Sequence, residues 1–218
     1  MRERFAKFWK DIDVPLHRVD DDDHYRAYAK ELRLLFEGRQ SGAVLELGCG
    51  NGGLYPYLGF DQSSGYVGVD FSPAMIQRFK SNHPGLELHC HDASTFHLDR
   101  NFDLIYSNAM IQNFDDAMLE QHFANASQML SDGGLFICAS YPAGALKSSY
   151  YAGESSSDPR NSRMINWGMT LLRRSDRPMG KWHYNKNIAR LGDKYGFNSQ
   201  FYGSMHYLYR NHAVMTRK

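Results

Sequence analysis

The chain has 218 residues, enough for one domain with a full hydrophobic core. Its 25 lysines and arginines nearly balance its 24 aspartates and glutamates. The composition therefore gives no general electrostatic footprint for nucleic acid or an anionic membrane. No run of about 18 apolar residues is present, and the charged start lacks the apolar core of a signal peptide. We expect a cytoplasmic protein with neither a nucleic-acid nor a membrane partner, and the oligomeric state stays open.

The three cysteines support a reducing compartment. Cys49, Cys90 and Cys138 all fall at predicted strand or turn positions of the core. We expect them to be small, buried, unpaired side chains.

An amphipathic helix is predicted before the first strand. Its apolar side chains recur at helical spacing: Tyr25, Tyr28, Ala29, Leu32, Leu35 and Phe36. Four carboxylates, Asp20 to Asp23, stand just ahead of it. A solvated run that supplies the N-cap is favoured over a metal site here.

A buried strand followed by a glycine-rich turn is predicted from Val44 to Leu54. The apolar run breaks into four glycines: Gly48, Gly50, Gly52 and Gly53. Glycine allows positive φ and a close approach of the backbone to a ligand. We expect the turn to enter a helix with Pro56 in its first turn, whose free N–H groups face the same cleft. Such a turn is typical of a site for a nucleotide-like ligand.

Glu46 distinguishes between two such ligands. Gly48, Gly50 and Gly53 also satisfy the G-x-G-x-x-G pattern of dinucleotide sites. A carboxylate two residues before the first glycine would repel a pyrophosphate, but it suits a ligand that carries an ammonium and a sulfonium group. The pattern favours S-adenosyl-L-methionine as the cofactor.

A second strand, Tyr66 to Val69, ends in Asp70, eighteen residues after Gly52. An acidic residue at this place can accept the hydroxyls of an adenosine ribose. Here the sequence resembles the class I S-adenosylmethionine-dependent methyltransferases. Glu46-Leu-Gly-Cys-Gly-Asn-Gly matches that family's first motif and Asp70-Phe-Ser-Pro-Ala-Met75 its second. The resemblance covers roughly residues 42–135 and rests on the joint spacing of the two motifs.

The resemblance implies an α/β fold: a Rossmann-like, doubly wound seven-stranded sheet of order 3-2-1-4-5-7-6 with strand 7 antiparallel. It also implies a single methyltransferase domain over residues 1–218. The parts would be a helical segment (1–40), the cofactor-binding core (41–140), a substrate lid after strand 5 (141–181) and a C-terminal helix and hairpin (182–218). The cofactor-binding residues implied are Glu46, Gly48, Gly50, Gly52, Asp70, Phe71, Met75, Asp92, Ala93, Ser107 and Asn108.

The third strand, Leu86 to Cys90, closes with His89-Cys90-His91-Asp92. All three residue types can ligate a metal. Alternation along a strand sends His89 and His91 to one side and Cys90 to the other, so adjacent ligands cannot converge. We expect no metal. By resemblance, Asp92 and Ala93 bind the adenine.

The fourth strand begins at Phe102, and its exit loop should reach the cleft, which lies at the carboxyl ends of parallel strands. The side chains concerned are Ser107, Asn108, Ile111, Gln112 and Asn113. The loop lacks an Asn-Pro-Pro-Tyr type motif, which disfavours methylation of base amino groups. It resembles the loop of small-molecule carboxyl and hydroxyl methyltransferases, such as those that act on trans-aconitate or on malonyl groups of a carrier protein.

The remaining elements follow the family's order. A helix with apolar residues from Leu119 to Leu130 stops at Asp132-Gly133-Gly134, before a strand from Leu135 to Ala139. Another helix is capped by Gly196, and two strands, 197–204 and 211–216, end the chain. The predicted lid carries arginines that would clamp an anionic substrate or remain solvated: Arg160, Arg163, Arg173, Arg174 and Arg177.

The chemistry expected is methyl transfer to a small-molecule acceptor, with an oxygen (hydroxyl or carboxyl) favoured. A hydroxyl needs a base, for which His183 and His206 are the candidates, whereas a carboxylate needs none. Tyr25, Tyr28, Gln112 and Asn113 are the candidate substrate contacts.

The alternatives that the sequence leaves open belong to several classes. One is a sugar or natural-product methyltransferase with a nitrogen acceptor, and another is an NAD-dependent Rossmann oxidoreductase. An RNA or protein methyltransferase would share the fold, and a protein that only binds S-adenosylmethionine would share the motifs.

Overall fold

The computed structural model describes residues 22–61, 64–151 and 180–218. Within them lie five α-helices: α1 (Asp22–Leu35), α2 (Pro73–Asn82), α3 (Asp116–Met129), α4 (Lys147–Tyr151) and α5 (Asn185–Lys194). Seven strands form the sheet: β1 (Val44–Leu47), β2 (Tyr66–Asp70), β3 (Glu87–Cys90), β4 (Phe102–Asn108), β5 (Leu130–Pro142), β6 (Phe197–Gly203) and β7 (Arg210–Arg217).

The seven strands form one sheet of order β3-β2-β1-β4-β5-β7-β6. The first five pair in parallel, and β7 runs antiparallel to both β5 and β6. The predicted fold class and strand order are confirmed. Because the parallel strands all end at one edge, the turns after β1, β2, β3 and β4 meet there.

Alternating residues of each strand supply two cores, one on each face of the sheet. On one face Leu45 and Ile105 belong to a cluster with Phe123 of α3. On the other face Val44 and Leu104 belong to a cluster with side chains of α1 and α2. Burial on both faces explains why β1, β2 and β4 are predominantly apolar, whereas the outer strands β3 and β6 are only partly buried.

Local signals set the helix boundaries. Ser72 precedes α2 and accepts a hydrogen bond from the N–H of Met75, at 3.4 Å, with Pro73 at the first helical position. Asp115 caps α3 in the same way through the N–H of Met118, at 2.9 Å. These caps orient the two helices against the sheet.

The prediction of a helix directly after the glycine-rich turn is wrong. Only a short 3₁₀ segment, Tyr55–Tyr57, is present, and it contains Pro56. Pro56 removes a backbone donor and Gly59 has φ of 73°, so the chain leaves helical geometry after one turn. A full helix N-terminus therefore does not face the cleft here.

Two further expectations need correction. Strand β5 begins at Leu130, directly after α3, and not at Leu135, and Gly133 lies inside it with φ of 74°. Cys49 and Cys138 are buried as expected, but Cys90 is exposed. It ends β3, an edge strand, where only Leu88 is buried.

Several predictions lie outside the described residues: the start of the acidic run before α1, and most of the predicted lid with its five arginines. The subdivision of the chain into segments stays a prediction. No helix among the described residues is long and apolar enough to span a membrane. Within the same residues, no three His, Cys, Asp or Glu side chains are grouped to hold a metal ion.

Candidate functional site

The turn after β1 has a backbone that requires glycine. Gly48, Gly50 and Gly52 have φ of 82°, 56° and 76°. A Cβ atom at Gly48 would lie 2.7 Å from the sulfur of Met110, and one at Gly52 only 2.3 Å from the ring of Phe79. A Cβ at Gly50 would meet nothing within 4 Å. The turn is thus packed at two glycines and open at the third, which leaves room for a ligand.

Asp70 fixes this turn from the end of β2. Its Oδ2 accepts the N–H of Gly50 at 3.0 Å, and its Oδ1 accepts the N–H of Ser72 at 2.9 Å. Burial raises the pKa of Asp70, and these two hydrogen bonds oppose the rise. Each carboxylate oxygen keeps a second lone pair. The side chain can therefore hold the turn and still accept a pair of ribose hydroxyls.

Glu46 is a buried carboxyl that faces the turn from β1. It is 5% exposed, and the hydroxyl of Tyr66 donates to its Oε2 at 2.5 Å. Burial raises the pKa of Glu46 to about 7, although the hydrogen bond from Tyr66 opposes the rise. A cation beside this carboxyl would favour its ionised form. The geometry suits the ammonium group of a bound amino acid moiety.

The predicted cofactor residues Phe71, Met75, Asp92 and Ala93, of which the last three are predicted to contact the adenine, lie after β2 and β3, which are neighbours in the sheet. Met75 and Ala93 are buried, and Phe71 is half-buried. Asp92 is half-buried, and its Oδ1 accepts both the N–H and the hydroxyl of Ser94, at 2.9 and 2.7 Å. The structure brings these four residues to one edge of the sheet, and their roles stay predictions.

Ser107 and Asn108 end β4 but differ in surroundings. Ser107 is fully buried, and its hydroxyl lies 3.5 Å from Nε2 of His122. Asn108 accepts a 2.6 Å hydrogen bond from the hydroxyl of Tyr28 and lines a cavity. This hydrogen bond therefore joins Asn108, a predicted cofactor residue, to Tyr28, a predicted substrate residue.

The cavity has a volume of about 280 Å³ and lies between the glycine-rich turn and α1. One wall carries the turn, from Glu46 to Tyr55. The opposite wall carries side chains from three separate segments, namely His24, Tyr25, Tyr28, Ser140, Tyr207, Tyr209 and Arg210. The cavity is of the size and polarity of a small-molecule site.

Arg210 is the cation of this cavity. Its guanidinium donates to the carbonyl of Ser140 and lies 5.7 and 5.4 Å from the ring centres of Tyr207 and Tyr209. It makes no salt bridge with any carboxylate in the part of the chain that the structure describes. Ser140 itself has φ of 55°, an unusual backbone for a serine. The guanidinium keeps donors for an anionic group of a ligand.

The segment that carries Tyr207 and Tyr209, residues 204–209, is held in place by Glu31 of α1. The Glu31 carboxylate accepts the N–H groups of Met205 and His206 at 2.7 and 3.1 Å, and Nε2 of His212 at 2.9 Å. Burial alone would raise the pKa of Glu31, but these hydrogen bonds lower it. Glu31 thus stays ionised and fixes one cavity wall.

The two histidines predicted as bases lie in different places. His183 is buried, its Nε2 is 3.1 Å from the carbonyl of Ile111, and burial lowers its pKa to about 4. It does not line the cavity. His206 is half-buried, with Nε2 3.2 Å from Nδ1 of His24, which does line the cavity.

Gln112 and Asn113 lie outside the cavity lining. The side-chain amide of Gln112 donates to the carbonyl of Ala109 at 2.5 Å, and the backbone carbonyl of Gln112 accepts the N–H of Lys181 at 2.8 Å. Asn113 is exposed. Gln112 therefore contacts the segment that begins at residue 180.

Sequence reasoning did not single out His24, Ser140, Tyr209 or Arg210. One signal was available for Arg210: β7 runs antiparallel to β5, so its first residue lies beside the carboxyl end of β5. The observed register pairs Pro142 with Arg210. The contact of Glu31 with His212, 181 residues apart in sequence, had no such signal.

Comparison with known proteins gives a match to a family model, a match to a curated relative and matches to solved structures. Residues 44–134 match the family model described as "Methyltransferase domain". Malonyl-[acyl-carrier protein] O-methyltransferase of Bacillus cereus is 32% identical over 101 residues, which are 45% of this chain and 37% of that protein. The chain thus matches little more than a third of the length of that curated relative.

Solved structures match nearly the whole chain. DesVI of Streptomyces venezuelae has a TM-score of 0.66 at 14% identity, covering 94% of this chain and 100% of that one. Magnesium protoporphyrin IX methyltransferase of Synechocystis with bound SAH has 0.64 at 15%, covering 100% and 93%. N-methyltransferase NodS of Bradyrhizobium japonicum, in complex with S-adenosyl-L-homocysteine, has 0.65 at 17%, covering 99% and 98%.

The match over residues 44–134 contains both motifs of the resemblance, and the full sheet has the strand order that the family implies. Together they confirm the family and, with it, S-adenosylmethionine as the cofactor. Residues 44–134 therefore match the methyltransferase family by sequence, and the chain has the fold of the class I S-adenosylmethionine-dependent methyltransferases.

Proposed function

We propose that this protein transfers the methyl group of S-adenosylmethionine to an oxygen atom of a small-molecule acceptor, in the cytoplasm. The observation that carries the proposal is the cavity of about 280 Å³, which has the glycine-rich turn on one side and tyrosines, a histidine and an arginine on the other. Asp70 and the residues proposed to bind adenine lie outside the lining of this cavity, so the cavity would hold the methionine part of the donor together with the acceptor, which is what a direct transfer requires.

The donor would bind along the carboxyl edge of the sheet. Its ribose would contact Asp70, its adenine would lie among Phe71, Met75, Asp92 and Ala93, and its methionine part would reach Glu46. The open space at Gly50 and the buried Glu46 carboxyl both fit such a molecule. When bound, it supplies a methyl group on a sulfonium, which is already a good leaving group.

The protein's part in the reaction is then mainly orientation. Tyr28 is held by Asn108, and residues 204–209 are held by Glu31, so both walls of the acceptor site are fixed before an acceptor binds. Holding two reactants in line is worth an effective concentration of about 10⁵ M or more. Tyr25 and Tyr28 remain the proposed substrate contacts from α1.

An oxygen acceptor is supported by the Bacillus cereus relative, which is named as an O-methyltransferase. The nitrogen alternative has support from NodS, which is named as an N-methyltransferase, but at 17% identity that likeness concerns the fold. The three cysteines are free thiols, in keeping with a reducing compartment.

The experiment is an acceptor screen that measures S-adenosylhomocysteine and the mass of the methylated product. The panel should contain alcohols, phenols, carboxylic acids and primary amines of similar size, each with and without an added anionic group. Transfer to hydroxyl or carboxyl members supports the proposal. Transfer to amines alone would replace oxygen by nitrogen, and a protein that forms no product while binding the cofactor would contradict the proposed activity.

A further inference from the structure

We propose that Tyr207, His24 and His206 form a proton relay that deprotonates a hydroxyl group of the acceptor, with Tyr207 next to the acceptor, His24 in the middle and His206 as the terminal base. The proposal deepens the proposed function and rests on it. Neither the family match nor the named relatives assign a role to any of these three residues. It identifies the acceptor as a hydroxyl compound and not a carboxylate.

The three side chains form a continuous hydrogen-bonded chain that starts in the cavity. The hydroxyl of Tyr207 lies 3.0 Å from Nε2 of His24, and Nδ1 of His24 lies 3.2 Å from Nε2 of His206. Tyr207 and His24 both line the cavity, and His206 is half-buried and does not line it. The chain thus leads from the acceptor site towards solvent.

Each nitrogen of His24 has a partner, so its proton can sit on either side. With the proton on Nδ1, His24 donates to His206 and accepts from Tyr207; with the proton on Nε2, both hydrogen bonds reverse. A shift of one proton along the chain converts the first arrangement into the second.

The surroundings keep His206 neutral before the reaction, so that it can take up a proton. Burial lowers the pKa of His206, as does His24, so His206 is neutral before the reaction, while Glu31 acts in the opposite direction. The Glu31 carboxylate accepts the backbone N–H of His206 at 3.1 Å. The titratable and charged groups around the relay are Tyr25, Tyr28 and Glu31 of α1, and Tyr209 and Arg210 of the neighbouring segment.

The step balances in atoms and charge. The acceptor oxygen forms a bond to the methyl carbon as the sulfur–methyl bond breaks, and the bonding electrons of the latter stay on sulfur. The acceptor's proton passes to the oxygen of Tyr207, the proton of Tyr207 to Nε2 of His24, and the Nδ1 proton of His24 to Nε2 of His206. The positive charge that leaves the sulfonium is matched by the one that His206 gains and later releases to water.

Only a hydroxyl acceptor needs this relay at the moment of transfer. A carboxylate is already ionised, and an amine attacks through its lone pair and can lose a proton afterwards. A base is worth about 10²- to 10⁴-fold in rate when the reacting group must be deprotonated. The relay is therefore an argument about the acceptor as well as about the residues.

The test compares two phenols that differ in whether they need a base. At about pH 8, 4-nitrophenol is largely ionised and phenol is not, so base catalysis should matter only for phenol. The variants are His24→Gln, His206→Gln and Tyr207→Phe, and the matched controls are the exposed residues His97→Gln and Tyr202→Phe. S-adenosylhomocysteine binding is measured for every variant to show that the donor site is intact.

We expect His24→Gln to lose about 100-fold in kcat on phenol and only about threefold on 4-nitrophenol, with unchanged donor binding. In the wild type, kcat on phenol should rise with pH and level off once His206 is neutral, and this dependence should be weakened in His206→Gln. The controls should behave like the wild type on both probes.

Equal losses on the two phenols would show that His24 only packs, and would overturn the relay. Turnover of carboxylate or amine probes alone, or binding of S-adenosylhomocysteine without transfer to any hydroxyl probe, would also contradict it. Failure to bind S-adenosylhomocysteine at all would instead contradict the proposed function. Histidine NMR supplies a test that needs no acceptor. Because His24 lowers the pKa of His206, His24→Gln should raise the pKa of His206, and an unchanged value would contradict the coupling of the two rings.

Discussion

Replacement of single glycines by alanine separates the packing of the turn after β1 from its role in binding. Gly38, Gly50 and Gly52 all have positive φ, of 80°, 56° and 76°. An added Cβ would be free of contacts at Gly38 and Gly50 but would lie 2.3 Å from the ring of Phe79 at Gly52. Left-handed backbone costs an alanine about 1–2 kcal/mol, and overpacking a core costs about 1–3 kcal/mol more.

We therefore expect Gly38→Ala and Gly50→Ala to lower the free energy of unfolding by about 1–2 kcal/mol each, and Gly52→Ala by about 2–5 kcal/mol. Urea unfolding measures these differences. Calorimetric titration with S-adenosylhomocysteine should show weaker binding for Gly50→Ala and unchanged binding for Gly38→Ala, because Gly50 lies in the turn after β1 and Gly38 does not. A Gly52→Ala protein as stable as Gly38→Ala would contradict the tight packing of Gly52 against Phe79. A Gly50→Ala protein that binds S-adenosylhomocysteine with full affinity would contradict a role of Gly50 in binding.

Three further outcomes follow from the electrostatics of the described residues. Because Glu46 has a pKa of about 7 and a bound cation favours its ionised form, S-adenosylmethionine affinity should rise with pH through about 7 and then level off. Titration calorimetry should show that Glu46→Gln removes this dependence and that Tyr66→Phe, which removes a hydrogen bond to the carboxylate, moves it to higher pH. Arg210→Gln should raise KM for acceptors with an anionic group and leave KM for their neutral analogues unchanged in steady-state assays. Burial lowers the pKa of His122 from 6.5 to about 4. The neutral side chain therefore contributes stability that is lost as pH falls below 6.5, and His122→Gln should reduce the loss between about pH 7 and 5 by about 2 kcal/mol in urea unfolding.

The sheet could be predicted because its signals are local. The central strands β1, β2 and β4 are short, mainly apolar runs, which is typical of strands that are buried on both faces. The antiparallel end of the sheet followed from the resemblance. Helix α2 was marked by Ser72-Pro73, where the structure places the cap.

The errors arose where tertiary surroundings decide. Pro56 was placed in the first turn of a helix, but Gly59 and the packing of Tyr55 against Phe79, with ring centres 5.5 Å apart, leave only a 3₁₀ segment. Cys90 was assigned to the core by its strand position, although its strand lies at the sheet edge.

The residues proposed to bind the donor could be picked out in the sequence, because they lie at or after the ends of β1, β2, β3 and β4. The acceptor half was only partly visible. Its wall is built from α1, the end of β5 and the start of β7, and long-range hydrogen bonds such as that of Glu31 with His212 bring these together. No periodicity within one segment reports such contacts.

A thermal-shift comparison with S-adenosylmethionine, S-adenosylhomocysteine, NAD and NADP tests most directly whether the protein binds S-adenosylmethionine as its cofactor. At a hundred times its dissociation constant, a ligand adds about 2.7 kcal/mol, which corresponds to roughly 5–10 °C for a chain of this length. We expect such a shift in the melting temperature with S-adenosylmethionine and S-adenosylhomocysteine, and none with NAD or NADP. A shift with NAD or NADP alone would contradict both the role of Glu46 and the proposed function.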